Sequence, residues 1–167
     1  MTKTSDNLKA AFAGESQANR KYLAFAKKAD EEGFPQIAKL FRAAAEAETI
    51  HAHTHLRVLD GVKSTAENIA AAVTGETFEF TDMYPQFIEE AKAEDNKAAL
   101  ISFNYANKVE QVHADLYKKA AASISNKQDL PKADIYVCPV CGNTFVGEVP
   151  DKCPVCGVVK EKFLKIA

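Results

Sequence analysis

Residues 48–51 read Glu48-Thr49-Ile50-His51, and residues 110–113 read Glu110-Gln111-Val112-His113. Both are Glu-x-x-His, a spacing that sets the acid and the imidazole one turn apart on one helix face. Each tetrad sits in an apolar stripe of helical period. One stripe is Ile37, Phe41, Ala44, Glu48, His51, His55; the other is Ala99, Phe103, Ala106, Glu110, His113, Tyr117. Two more stripes carry acids in the same way: Leu8, Phe12, Glu15, Tyr22, Ala26, Ala29, and Ile69, Ala72, Glu76, Glu79, Met83, Phe87. Four amphipathic helices bury such stripes by packing into a bundle, so the expected fold is all-α with ionisable groups turned inward.

Buried carboxylates are strongly destabilising unless paired, and no Lys or Arg occupies the central stripe positions. The five glutamates Glu15, Glu48, Glu76, Glu79 and Glu110 carry five negative charges, of which two divalent ions would offset four. One carboxylate from each of two helices, with Glu-x-x-His from each of the other two, is the ligand arrangement of ferritin-like di-iron or di-manganese bundles. Carboxylate and imidazole donors suit redox-active iron or manganese. Glu79, one turn after Glu76, reads either as a solvated helix residue or as a seventh ligand exchanging with oxidation state. In His51-Ala52-His53-Thr54-His55, His53 points away from His51 and reads as solvent-facing. His55 reads as packed beside the site, and neither is counted as a ligand. Tyr22 and Tyr84 read as core tyrosines within reach of the carboxylates.

Helix limits follow from caps. The first helix starts near Thr4-Ser5-Asp6 and ends at Gly33. The second runs from Pro35 to Gly61, the third from Ser64-Thr65 to about Asp95-Asn96, and the fourth to about Ser123. Pro85 should kink the third by removing a backbone donor. The two halves repeat: Gly14-Glu15 recurs as Gly75-Glu76 at an offset of 61, after which Tyr22/Tyr84, Phe25/Phe87, Phe41/Phe103, Glu48/Glu110 and His51/His113 match at 62. A bundle built from two such pairs calls for a long crossover between helices two and three. The expected division is a bundle over 1–124, a linker over 125–134 and a cysteine domain over 135–167.

That last segment holds every cysteine of the chain, in Cys138-Pro139-Val140-Cys141-Gly142 and Cys153-Pro154-Val155-Cys156-Gly157. Four thiolates in two Cys-x-x-Cys knuckles imply a tetrahedral all-sulfur metal site, for which geometry leaves zinc and iron open. Next to a redox-active metal pair, a one-iron centre has a role as electron source. A net charge of -2 gives no reason to expect a nucleic-acid or membrane partner, and no apolar run is long enough for a membrane span. No stretch between Met1 and Asn19 has signal-peptide character, so a reducing cytoplasm is expected, where paired cysteines bind metal.

Taken together, these motifs resemble the rubrerythrin family over essentially the whole chain. Gly14-Glu15 through Lys21-Tyr22, Glu48/His51, Gly75-Glu76 through Glu79 with Met83-Tyr84-Pro85, Glu110/His113 and both knuckles carry the resemblance. Glu79 and the knuckles separate it from ferritins and bacterioferritins. The resemblance implies a di-iron site bound by Glu15, Glu48, His51, Glu76, Glu79, Glu110 and His113, with His51 and Glu79 alternating on one iron. It implies a rubredoxin-like iron held by Cys138, Cys141, Cys153 and Cys156. It further implies reduction of hydrogen peroxide to water, with electrons from NADH through a reductase and often a separate rubredoxin. An oxygen-reducing oxidase, or an iron-oxidising ferroxidase-like protein, would use the same diferrous site. His113 lies about ten residues before the end of its helix, or ~15 Å, so a head-to-tail homodimer is expected to bring one chain's cysteine domain to the other's iron pair.

Overall fold

The computed structural model describes residues 2–167, as two compact units, the first ending at Lys63 and the second spanning Ser64–Ala167. The first is a helical hairpin of α1 (Lys3–Glu31) and α2 (Pro35–Val58). The α1 cap is Thr2, which accepts from the Ser5 amide, slightly ahead of the Thr4 expected from the sequence. Pro35 opens α2, where its missing N–H costs nothing. The two helices approach on alanines: Ala26, Ala29, Ala38, Ala45 and Ala52 are all buried. Asn19, also buried, donates from Nδ2 to the Ala45 carbonyl at 2.7 Å and to Thr49 Oγ1 at 2.8 Å. A polar side chain therefore bolts the hairpin beside its metal-ligand level without leaving its donor unpaired.

In the second unit, α3 (Thr65–Phe78) begins at a full capping box, Ser64 accepting from the Glu67 amide while Glu67 reaches back to the Ser64 amide. The helix then widens into one π-helical segment, Glu79–Met83, and continues as α4 (Tyr84–Ala93). A π turn takes up one extra residue within a helix. That residue is the unit step in the internal repeat, from 61 to 62, which falls between Glu76 and Tyr84. Pro85, where a kink is expected, sits in the first turn of α4, directly after this widened segment. The fourth long helix, α5 (Lys97–Ser125), is capped by Asn96, which accepts from the Ala99 amide.

The repeat is structural as well as sequential. Tyr22, Phe25 and Phe41 form a ring cluster with centroid separations of 6.3, 6.1 and 5.6 Å. Tyr84, Phe87 and Phe103 reproduce it at 6.2, 6.2 and 5.6 Å. The long crossover expected between the halves is not present. Val58 and Thr65 are joined by Leu59–Ser64 alone. Its first residues fold onto the end of α2, Leu59 N donating to His55 O and Gly61 N to Leu56 O, so local capping consumes half of the connection.

After α5 the chain forms a three-stranded antiparallel sheet, β1 (Ile135–Val137), β2 (Thr144–Val146) and β3 (Leu164–Ile166), in the order β2-β1-β3. Phe145 and Phe163 stack at 4.8 Å across it. The sheet carries the two knuckles, and β2 packs on α5 of the same chain.

Candidate metal centres

The knuckles are near copies. The Gly142 amide donates to Cys138 O at 2.9 Å and the Gly157 amide to Cys153 O at 2.8 Å, with both glycines at positive φ (+83° and +78°), where an L side chain would be strained. This turn brings four Sγ atoms within 4.8 Å of one another, with Cys138 to Cys156 at 3.5 Å and Cys141 to Cys153 at 3.6 Å. A disulfide would need ~2.05 Å. A tetrahedron with metal–sulfur bonds of ~2.3 Å has edges of ~3.8 Å, so the spacing fits a tetrathiolate metal. Burial opposes ionisation of all three thiols that shift. At Cys138 the amides of Cys141 and Val140, with Cys156, outweigh it and hold the thiol below its ordinary value. At Cys141 and Cys156 burial prevails and the thiols are pushed up. Of these three, Cys138 is the readiest to enter as thiolate.

The carboxylate and imidazole donors gather as two sets of three. In the first unit, ligand atoms of Glu15, Glu48 and His51 lie within 4.8 Å of one another. His51 Nδ1 is 3.0 Å from Glu48 Oε2 and 4.0 Å from Glu15 Oε1. In the second unit Glu76, Glu110 and His113 repeat this, with His113 Nδ1 at 2.7 Å from Glu110 Oε2 and 3.6 Å from Glu76 Oε2. Nδ1 faces the acids in both. The i, i+3 placement on α2 and α5 supplies the Glu-His pair, and the antiparallel α1 or α3 supplies the third donor at the same height.

Glu79 stands outside the second set, at the start of the π segment. It is close enough for Glu76 and His113 to act on its charge. Its carboxyl is pushed above the usual range by burial and then by Glu76. Glu76 is raised by burial and by its contact with Glu110. Burial, with Glu110, Glu79 and Glu76 behind it, raises the Tyr84 phenol. Crowded acids of this kind call for a cation, and the donor chemistry of both sets fits iron. His53 is exposed and borders a pocket with Phe12, Asn19 and Arg20.

A contact not foreseen from the sequence joins the two kinds of centre. His113 Nε2 lies 3.0 Å from Thr144 Oγ1 on β2, and that hydroxyl is 3.4 Å from the Gly142 carbonyl beside Cys141. The cysteine domain thus reaches His113 within its own chain, so the ~15 Å estimated from helix length does not by itself call for a head-to-tail dimer. Thr144 gave no signal because a single Thr in a short strand has no periodic or spacing signature.

A rubrerythrin family model matches residues 6–121, and a model of the rubrerythrin rubredoxin-like domain matches residues 136–164. The chain belongs to the rubrerythrin family. Among curated relatives, Rubrerythrin-2 of Clostridium acetobutylicum is 36% identical, covering 96% of this chain and 95% of that protein. Nigerythrin of Nitratidesulfovibrio vulgaris is 39% identical, covering 96% and 85%. The solved fully reduced, all-ferrous nigerythrin matches with a TM-score of 0.59 at 37% identity, covering 99% of this chain and 88% of that one. As a rubrerythrin, the chain is a redox protein with a di-iron site drawn from carboxylate and histidine groups, and a rubredoxin-like site at Cys138, Cys141, Cys153 and Cys156. No described helix is long and apolar enough to cross a membrane.

Proposed function

We propose that this chain is a non-haem di-iron peroxidase that reduces hydrogen peroxide to water in a reducing cytoplasm. The bundle of residues 1–124 would hold the iron pair through Glu15, Glu48, His51, Glu76, Glu79, Glu110 and His113. The linker over 125–134 and the domain over 135–167 would bring the electron-donating iron. The observation that carries this reading is the His113–Thr144 hydrogen bond, which ties a di-iron ligand to the cysteine domain beside Cys141.

When bound, the iron pair supplies Lewis acidity and two electrons to the O–O bond, and two protons complete two waters. The chain's own groups provide the rest. In the metal-free chain Glu76 and Glu79 are held above the ordinary carboxyl range by burial and mutual crowding, a repulsion that a bound cation would relieve. The Tyr84 phenol stays protonated beside them as a donor. Glu79 would hold iron as the exchangeable ligand, alternating with His51; the π segment presents it one turn from Glu76 and outside the three-donor set. Electrons come from an NADH-dependent reductase, directly or through a rubredoxin, to the tetrathiolate iron.

The test is anaerobic. The reduced, iron-loaded protein is mixed with hydrogen peroxide or with oxygen, and the visible absorption of the ferric tetrathiolate centre is followed. Fast recovery with peroxide and slow recovery with oxygen is expected. Faster recovery with oxygen would make it an oxidase, and a colourless protein would place zinc in the knuckles.

A further inference from the structure

We infer that the α1–α2 hairpin carries a binding site for a phosphate-type oxyanion, held between Arg20 of α1 and His53 of α2. The site lies wholly within the first unit and uses none of the metal donors.

A pocket of about 230 Å³ opens between the two helices, with Arg20 and His53 in its wall, Ser16 and Thr49 beside them, and Phe12 and Leu56 as apolar flanks. No Asp or Glu lines it. Asn19 fixes the register of the seam, because its bonds to Ala45 and Thr49 set those residues at one level. Arg20 stands one turn after Ser16 on α1, and His53 one turn after Thr49 on α2. A helical side chain leans toward the N-terminus of its own helix and covers the preceding turn. In an antiparallel hairpin the two basic side chains therefore lean toward each other and converge on the level of Ser16 and Thr49.

The other polar groups of the pocket are already engaged. Ser16 Oγ donates to the Phe12 carbonyl at 2.6 Å, Thr49 Oγ1 donates to that of Ala45 at 3.1 Å, and Asn19 Nδ2 donates to Ala45 and Thr49. The Arg20 guanidinium and the His53 ring are the open donors. Neither has a hydrogen bond or an ion pair among the described residues. No acid stands three or four residues from either, where a helical ion pair would form. The other two arginines are engaged, Arg42 with Asp30 and Arg57 with Thr54. Nor does the metal-binding frame impose the pair. In the second half, His53 is matched at the offset of 62 by Asp115, which pairs with Lys118 at 3.1 Å. Arg20 is matched within Glu79–Met83, which contains no basic residue.

The donor geometry selects the ligand. A guanidinium fork takes two oxygens of an oxyanion side by side. A carboxylate has no third oxygen to offer, whereas a phosphate group has one for the imidazole N–H on the other helix. Phe12 and Leu56 provide an apolar wall for a small substituent on the phosphate. A bound anion would clasp α1 to α2 next to the residues that follow Glu15 and Glu48 in the chain.

The experiment uses the full-length, iron-loaded protein at fixed ionic strength, with inorganic phosphate, phenyl phosphate and acetate titrated separately by calorimetry. Saturable binding of phosphate at one per chain is expected, with acetate about tenfold weaker or more. Arg20→Gln and His53→Gln should each weaken phosphate about tenfold or more, with iron content and visible spectrum unchanged. Arg20→Lys keeps the charge and loses the fork, and should remain well below wild type. Tighter binding of phenyl phosphate identifies the ligand as an organic phosphate ester, and equal binding identifies it as free phosphate. No saturable binding to the wild type overturns the site. Phosphate binding retained in Arg20→Gln/His53→Gln places the anion at the irons and overturns it equally. Acetate binding as tight as phosphate, or wild-type affinity in Arg20→Lys, overturns the assignment of ligand and fork.

Discussion

Thr144→Val isolates the link between the two kinds of centre. Valine keeps the shape and β-branching of threonine, so the β1–β2 pairing of Val137 with Thr144 is preserved, and only the hydroxyl at 3.0 Å from His113 Nε2 is lost. A half-buried neutral hydrogen bond contributes about 1 kcal/mol net. Removing it lowers the ratio of docked to undocked cysteine domain about fivefold, since 1.4 kcal/mol corresponds to a factor of ten. On the proposed peroxidase reading electrons pass through the docked form, so re-oxidation of the tetrathiolate iron after mixing the reduced protein with peroxide should slow by up to about fivefold. Iron content and the ferric tetrathiolate spectrum should be unchanged. Thr144→Ser, which retains the hydroxyl, should recover most of the rate. A Val variant that re-oxidises at the wild-type rate would refute the reasoning, because Thr144 would then neither hold the domain nor lie on the electron path.

In the metal-free protein, burial and neighbouring acids raise Glu76 and Glu79 above their unfolded values, so the folded chain binds more protons than the unfolded chain. Their stabilisation is complete below about pH 4.3 and is lost as pH rises through the raised values. The apo melting temperature should therefore fall more steeply with pH in the wild type than in Glu76→Gln/Glu79→Gln, and parallel curves would contradict the assignment. Ala38→Leu forces three extra carbons into the fully buried alanine contact of α1 and α2 and should cost about 1–3 kcal/mol, read as a lower denaturation midpoint with similar helicity. Cys138→Ser removes the thiol whose ionisation the knuckle amides favour, and should abolish the tetrathiolate absorption while leaving helical circular dichroism near the wild-type level. Retained absorption would show that the four cysteines are not the ligands.

Much of the chain was legible because its chemistry is periodic. A Glu-x-x-His on a helix must present both side chains together, whatever the helix packs against, and a knuckle followed by glycine folds locally around its sulfurs. The one-residue step in the internal repeat between Glu76 and Tyr84 was visible in the sequence, but that a π segment takes it up was shown only by the structure. The caps at Gly61 and Ser64 likewise left no residues for a long crossover. Local hydrogen bonds prevailed there over an expectation drawn from bundle topology. Sequence alone thus determined the helices, the six carboxylate and imidazole donors that gather, and the tetrathiolate. Tertiary structure decided that these donors gather three and three on separate hairpins, and that His113 meets a threonine 31 residues away. Periodicity specifies which face a residue occupies, whereas the partner of that face depends on loop reach and packing between segments far apart in the chain.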